Sequence, residues 1–190
     1  IEIDLDDEVL GVGMPCGGKM EVYVEPFLPQ PELMLVGQGR IAELVAELGR
    51  LLHFRVTVNS PGATREDFPF ADQLITDDTD YQKINPGLNS YVIVLTQHKG
   101  DQQVIQAALR GTPRYIGLVA SAKRSRLVVE YLKEGGMDAD ALRQVLRAPC
   151  GLDLGGRTPE EIALSIITEV VKLRHERTGL SMMEVKQCRI

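Results

Sequence analysis

The chain has 190 residues, 44% of them hydrophobic and 25% charged, with a formal net charge of -6. That is enough for one ordinary domain with an attached piece, and the negative charge argues against broad attraction to nucleic acid or an anionic membrane surface. No apolar run approaches the ~18 residues that span a membrane, no secretory leader is visible, and three scattered cysteines, Cys16, Cys150 and Cys188, form no disulfide framework, so a reducing cytoplasm is the expected setting.

The chain opens at Ile1 inside an alternating pattern with no initiator Met, as a fragment would. Residues 1–5 and 20–24 alternate apolar and polar side chains, and a loop rich in glycine lies between them. Two antiparallel strands are expected there. An isolated pair is marginal in water. Residues 1–30 therefore read as a small β appendage that packs on the main domain or on a partner protomer.

Residues 31–180 alternate strands and helices. The first strand is Leu33-Met-Leu-Val36, followed by Gly37-Gln38-Gly39-Arg40 and a helix whose Ile41, Leu44, Val45, Leu48 and Leu52 share one face. Strands follow at 54–58, 73–76, 91–96 and 115–119. Asp78 or Thr79 suits the cap of a helical turn reaching Ile84, and Asp101 suits the N-cap of the next helix. Ser121 opens a helix closed by Gly135 and Gly136, and Asp138 opens a shorter one. Residues 148–156 read as irregular. Thr158-Pro159-Glu160-Glu161 is a capping box with proline at the first helical position, starting a helix that runs to about Gly179. Residues 181–190 are a tail without strong signals. The fold class is α/β: a Rossmann-like parallel sheet with helices on both faces, preceded by the antiparallel β appendage.

Four features bear on chemistry. Gly37-x-Gly39-x-x-Ala42 stands between a strand and a helix, where glycines let a phosphate approach backbone N–H groups; the alternative is a turn that only packs helix on strand. An acidic ribose ligand is expected about 20 residues on, and that place holds Asn59, whose amide can still meet a hydroxyl, with Arg65 nearby for a 2′-phosphate. Lys123, Arg124 and Arg126 crowd the first turn after Ser121, where the macrodipole disfavours cations unless an anion binds; alternatively they bend into water. His98 follows a central strand and can serve as acid or base near neutral pH, or is simply solvated. Cys16 lies between Pro15 and Gly17 on a loop able to stabilise a thiolate, or is a small buried residue, as is Cys150. His53 and His175 fall in helix patterns, and no metal-ligand spacing is present.

Taken in order, these residues resemble the XdhC/CoxI family of xanthine dehydrogenase accessory proteins. The resemblance covers nearly all of residues 11–178. It rests on Cys16-Gly17-Gly18, Glu21-Val22, Pro26, the Gly37/Gly39 loop, Thr96, Asp101 and Tyr115-Ile-Gly-Leu. It continues through Ser121-x-Lys-Arg, Pro149-x-Gly-Leu, Thr158-Pro-Glu-Glu-Ile-Ala, Ser165 and Glu169. It implies binding of the molybdenum cofactor, molybdopterin, by its phosphate. It further implies help with sulfuration by a cysteine desulfurase, delivery to an apo molybdenum hydroxylase, and a homodimeric, cytoplasmic accessory factor. Under it, Gly37, Gln38, Gly39, Arg40, Asn59, Ser121, Lys123 and Arg124 are the expected cofactor ligands, and Cys16 and His98 the candidates for chemistry. Asn59 replaces a frequent family Asp, and Gln97 stands where a His follows Thr96. The competing readings are an NAD(P)-binding oxidoreductase and a non-catalytic docking module.

Overall fold

The computed structural model describes residues 2–4, 19–25, 29–97 and 100–187. Glu2–Asp4 (β1) and Lys19–Glu21 (β2) pair antiparallel, with Glu2 opposite Glu21 and Asp4 opposite Lys19. Cys16, His98 and Cys188 lie outside the described residues.

The main sheet has six strands: Glu32–Gly37 (β3), Arg55–Asn59 (β4), Gln73–Ile75 (β5), Ser90–Leu95 (β6), Tyr115–Leu118 (β7) and Leu146–Arg147 (β8). Every pairing is parallel and the order is β5-β4-β3-β6-β7-β8. The chain first builds outward from β3 to β5, then returns to β6 on the other side of β3. The order reverses between β3 and β6, whose register ends with Gly37 opposite Leu95.

The helices are Arg40–Leu51 (α1), Asp101–Leu109 (α2), Ala122–Glu134 (α3), Ala139–Val145 (α4), Pro159–Arg174 (α5) and Met182–Val185 (α6). Side chains alternate across a strand, and both faces of the central strands are covered, which is why β3, β6 and β7 are apolar almost without interruption. Leu33, Leu35, Tyr91, Ile93 and Leu95 meet Val45 of α1 and Ile166, Ile167 and Val170 of α5. Met34, Val36, Val92 and Val94 meet Val104 and Ile105 of α2, Val128 and Leu132 of α3, and Leu142 of α4. Each fully buried side chain of this size contributes about 1.5–3 kcal/mol of transfer free energy.

Three local expectations need correction. No helix forms between Asp78 and Ile84: the Asp78 carboxylate accepts the backbone N–H groups of Gln82 and Lys83 at 2.8 and 3.1 Å, and Tyr81 sits at φ 58, which no right-handed helix allows. Asp101 is the first helical residue of α2 rather than its cap. The N-cap is Gly100, left-handed at φ 97, and the Asp101 side chain turns inward. Helix α5 stops at Arg174, not near Gly179, because Glu176 takes φ 53 and the Arg177 N–H turns back to the Lys172 carbonyl at 3.0 Å. The stretch read as irregular begins just after β8, a two-residue strand too short to leave a period.

Candidate functional site

The crevice at the reversal of strand order is built on Gly37 and Gly39. Gly37 has φ 128, and a Cβ there would fall 2.1 Å from the Leu95 carbonyl oxygen, so only glycine lets β3 end against β6. Gly39, at φ 101 and ψ 173, is the N-cap of α1 and offers no side-chain cap. The first N–H groups of α1 are thus open at the positive end of the helix, the arrangement that receives a phosphate. Helix α2 likewise starts from a glycine without a side-chain cap. The other helices are capped, by Ser121, Asp138, Thr158 and Ser181. These two glycine-led helix starts follow the two strands that flank the reversal.

Three cavities surround this turn. One of about 380 Å³ reaches from Arg40 and Ile41 to Leu95, Val119 and Pro159. Another of about 290 Å³ lies toward Glu43, Gly62, Asp67 and Phe68. Both are lined by Gln97, which holds a left-handed backbone at φ 52 and puts its amide nitrogen 3.2 Å from where a Gly39 Cβ would stand. A third, of about 180 Å³, lies between Gly37, Asn59, Ser60, Tyr81 and Thr96.

Buried polar groups form the floor. Asn59 is fully buried and donates from Nδ2 to Asp78 Oδ2 at 2.6 Å, while its Oδ1 has no hydrogen-bond partner. Asp101, 2% exposed, accepts from the Thr96 hydroxyl and from Arg124 Nε at 3.0 Å. Burial, then the carboxylates of Asp101 and Asp78, push the Tyr81 hydroxyl above its ordinary range.

Of the residues proposed from sequence, Gly37, Gln38, Gly39, Arg40 and Asn59 meet at the crevice. Arg40 is engaged with Glu43 at 3.2 Å and Glu160 at 3.6 Å. Ser121 caps α3, accepting the Arg124 N–H at 3.3 Å. The Arg124 guanidinium turns to Asp101, tying α3 to the segment after β6, while Lys123 and Arg126 are exposed. Arg65 is exposed on the β4–β5 connection. Cys150 lines none of the three cavities and lies beside Tyr115 and Glu169. Burial and the Glu169 carboxylate push its thiol up to about 12. Sequence reasoning missed Asp78 as a partner of Asn59, and Gln97 and Tyr81 as lining residues; the acidic run at 77–80 and the strand end at Thr96 were the available signals. Among the described residues, no group of His, Cys, Asp and Glu is placed to hold a metal ion. No helix among them is long and apolar enough to cross a membrane.

A parallel sheet that reverses order at a glycine turn, with a bare helix start and a polar floor behind it, defines a Rossmann-type domain with its binding crevice in the usual place. Within that class, the chain belongs to the XdhC Rossmann domain family, whose model matches residues 33–170. It is 27% identical over 181 residues to YqeB of Escherichia coli K12, a protein described as uncharacterized; the match takes in 91% of this chain and 33% of YqeB. It is 29% identical over 163 residues to a probable xanthine dehydrogenase subunit of Bacillus subtilis 168, covering 80% of this chain and 46% of that protein. A crystal structure of a xanthine dehydrogenase from Bacillus halodurans matches with TM-score 0.67 and 26% identity, over 78% of this chain and 45% of that one. The chain spans between a third and a half of the length of these relatives.

Proposed function

We propose that this protein is an accessory factor for a xanthine dehydrogenase-type molybdenum hydroxylase. It binds the molybdenum cofactor by its phosphate and assists its sulfuration or insertion. The open N-terminus of α1 above the Gly37–Gly39 turn carries the reading, because it supplies the unpaired N–H donors a phosphate needs. Family membership and relatives bearing the xanthine dehydrogenase name support the choice of client. The group fits the residues present: Gly39 leaves the helix start clear, and Asn59 keeps a buried acceptor beside it. When bound, the cofactor supplies the molybdenum chemistry to the client. This chain orients it, shields it from water and hands it on. A cysteine desulfurase, the apo-hydroxylase and a second copy of the chain are the proposed partners.

Titration of the purified chain with molybdopterin tests the reading, with Gly39→Asp as the comparison. A carboxylate at that position occupies the helix start and repels a phosphate, so binding should fall at least tenfold. Equal binding by both proteins would sink the proposed anion site.

The strand order and the Gly37–Gly39 turn favour one second reading, a nicotinamide-dependent oxidoreductase. Calorimetry with NAD(H) and NADP(H) decides it: absence of heat and of any thermal shift removes it.

A further inference from the structure

The carboxylate missing from the end of β4 is present one layer back. Asn59 occupies the strand position, and Asp78, from the β5–β6 connection, lies behind it with only 4% of its surface exposed. Asp78 Oδ2 accepts Asn59 Nδ2 at 2.6 Å and the Lys83 N–H at 3.1 Å, and Oδ1 accepts the Gln82 N–H at 2.8 Å. No lysine or arginine among the described residues pairs with Asp78. The Lys83 ammonium goes instead to Asp77, at 2.6 and 2.7 Å. The negative charge behind Asn59 is therefore held by neutral donors.

This geometry fixes what the corner can accept. The Asp78 carboxylate accepts from the Asn59 amide nitrogen, so the amide cannot flip without setting two acceptors against each other. Its Oδ1 is left as a buried acceptor with no partner, in a residue that lines the cavity of about 180 Å³. A hydrogen bond accepted at one end of an amide is strengthened when the other end donates to an anion. An uncharged O–H or N–H group is welcomed there, and a second anion is repelled by Asp78 through the low-dielectric interior.

We propose that Asn59 and Asp78 act as a pair that selects the ligand's uncharged donor group: Asn59 binds it, and Asp78 positions Asn59 and excludes phosphate from this corner. The inference rests on the proposed anion site at α1 and deepens it. The ligand carries its phosphate at the helix start and a hydroxyl or amine a short distance away, either a sugar hydroxyl of a nucleotide or an amine of a pterin.

Four probes test it by calorimetry on the full chain: NAD, NADP, dihydroneopterin monophosphate and pyrophosphate. NAD and NADP differ by one phosphate on one ribose hydroxyl. If the donor is a sugar hydroxyl, NAD binds at least tenfold tighter than NADP, and Asp78→Asn narrows the gap. If it is an amine, the pterin phosphate binds and the nucleotides do not. In either case Asn59→Ala weakens the donor-bearing probe about tenfold and leaves pyrophosphate unchanged. Asn59→Ala keeps Asp78 on the amides of Gln82 and Lys83, so it carries the test alone should Asp78→Asn fail to fold. NADP held as tightly as NAD, or an Asn59→Ala protein that folds and binds the donor probes undiminished, overturns the pair. Pyrophosphate bound with no donor probe held also overturns it, while leaving the anion site standing. Pyrophosphate unbound removes the proposed function and this inference together.

Discussion

Single residues in this protein divide by whether their neighbours can move. A methyl group at Gly37 would meet the backbone carbonyl of Leu95, which belongs to a central strand and cannot retreat, whereas one at Gly62 would meet nothing within 4 Å. Gly62 is at φ 80, so Gly62→Ala should cost only the left-handed backbone, about 1–2 kcal/mol. Gly37→Ala should exceed the roughly 4–5 kcal/mol that marks an exceptional substitution. Urea melts of the two variants give both numbers. Glu169 is a second such point. Its Oε2 accepts the hydroxyl of Tyr115, itself 1% exposed, at 2.6 Å and the Gly151 N–H at 2.8 Å. Glu169→Ala leaves the Tyr115 hydroxyl only the weak Cys150 sulfur as partner, at a cost of about 1–3 kcal/mol. Glu169→Gln keeps an oxygen able to accept both and should lose less than half of that by the same melts. Cys150, held up to about 12 by burial and by Glu169, should resist iodoacetamide in the native protein at mildly alkaline pH and react once the chain is unfolded in urea, as read by mass spectrometry. At this scale the glycine turn and Asn59 were legible, because each depends on its place after a strand. Asp78 was not, because its partner lies 19 residues away and only the folded loop brings them together.

The elements show how local signals set boundaries. The Thr158 capping box stands as the sequence wrote it, with the Thr158 side chain accepting the Glu161 N–H at 3.3 Å and Glu161 accepting from the N–H groups of Arg157 and Thr158 at 2.8 and 3.1 Å. Thr158→Ala should cost about 1 kcal/mol of stability. The two N–H groups also hold the Glu161 carboxyl below the usual carboxylate range. A carboxyl lowered in the folded state stabilises above its unfolded value, and that contribution fades as pH falls through the folded one. Acid melts should therefore show Glu161→Gln losing less stability between neutral and acidic pH than the parent does. Where a local expectation failed, a neighbour had outvoted the local signal. Asp101 has the composition of a cap, but Thr96 and Arg124 draw its side chain inward, and Gly100 turns the chain in its place. The strand β8 and the helix α6 were missed for brevity: two residues show no alternation, and the Ser181–Glu184 box starts a single turn.

In the molecule as a whole, two cores share one sheet. Residues adjacent in β3, such as Leu33 and Met34, serve opposite layers, so neither layer can open without exposing the other's strands. Thermal unfolding of the main body should be a single transition with a calorimetric-to-van't Hoff ratio near unity; two resolved transitions would contradict a shared sheet. The parallel sheet was legible from its apolar runs and from the helical periods that follow the first, fourth and fifth of them, while the strand order was not, because pairing partners are set by packing across the whole domain. The two glycine-led helix starts have a consequence for how long each molecule lasts. A group that fills them adds stability as RT ln(1 + [L]/Kd), about 2.7 kcal/mol at a hundredfold excess over Kd. A chain without its ligand opens more often and meets proteases more often. Under the proposed function, its abundance would then follow the supply of the bound cofactor, the unfilled chain being removed by turnover and the filled one kept.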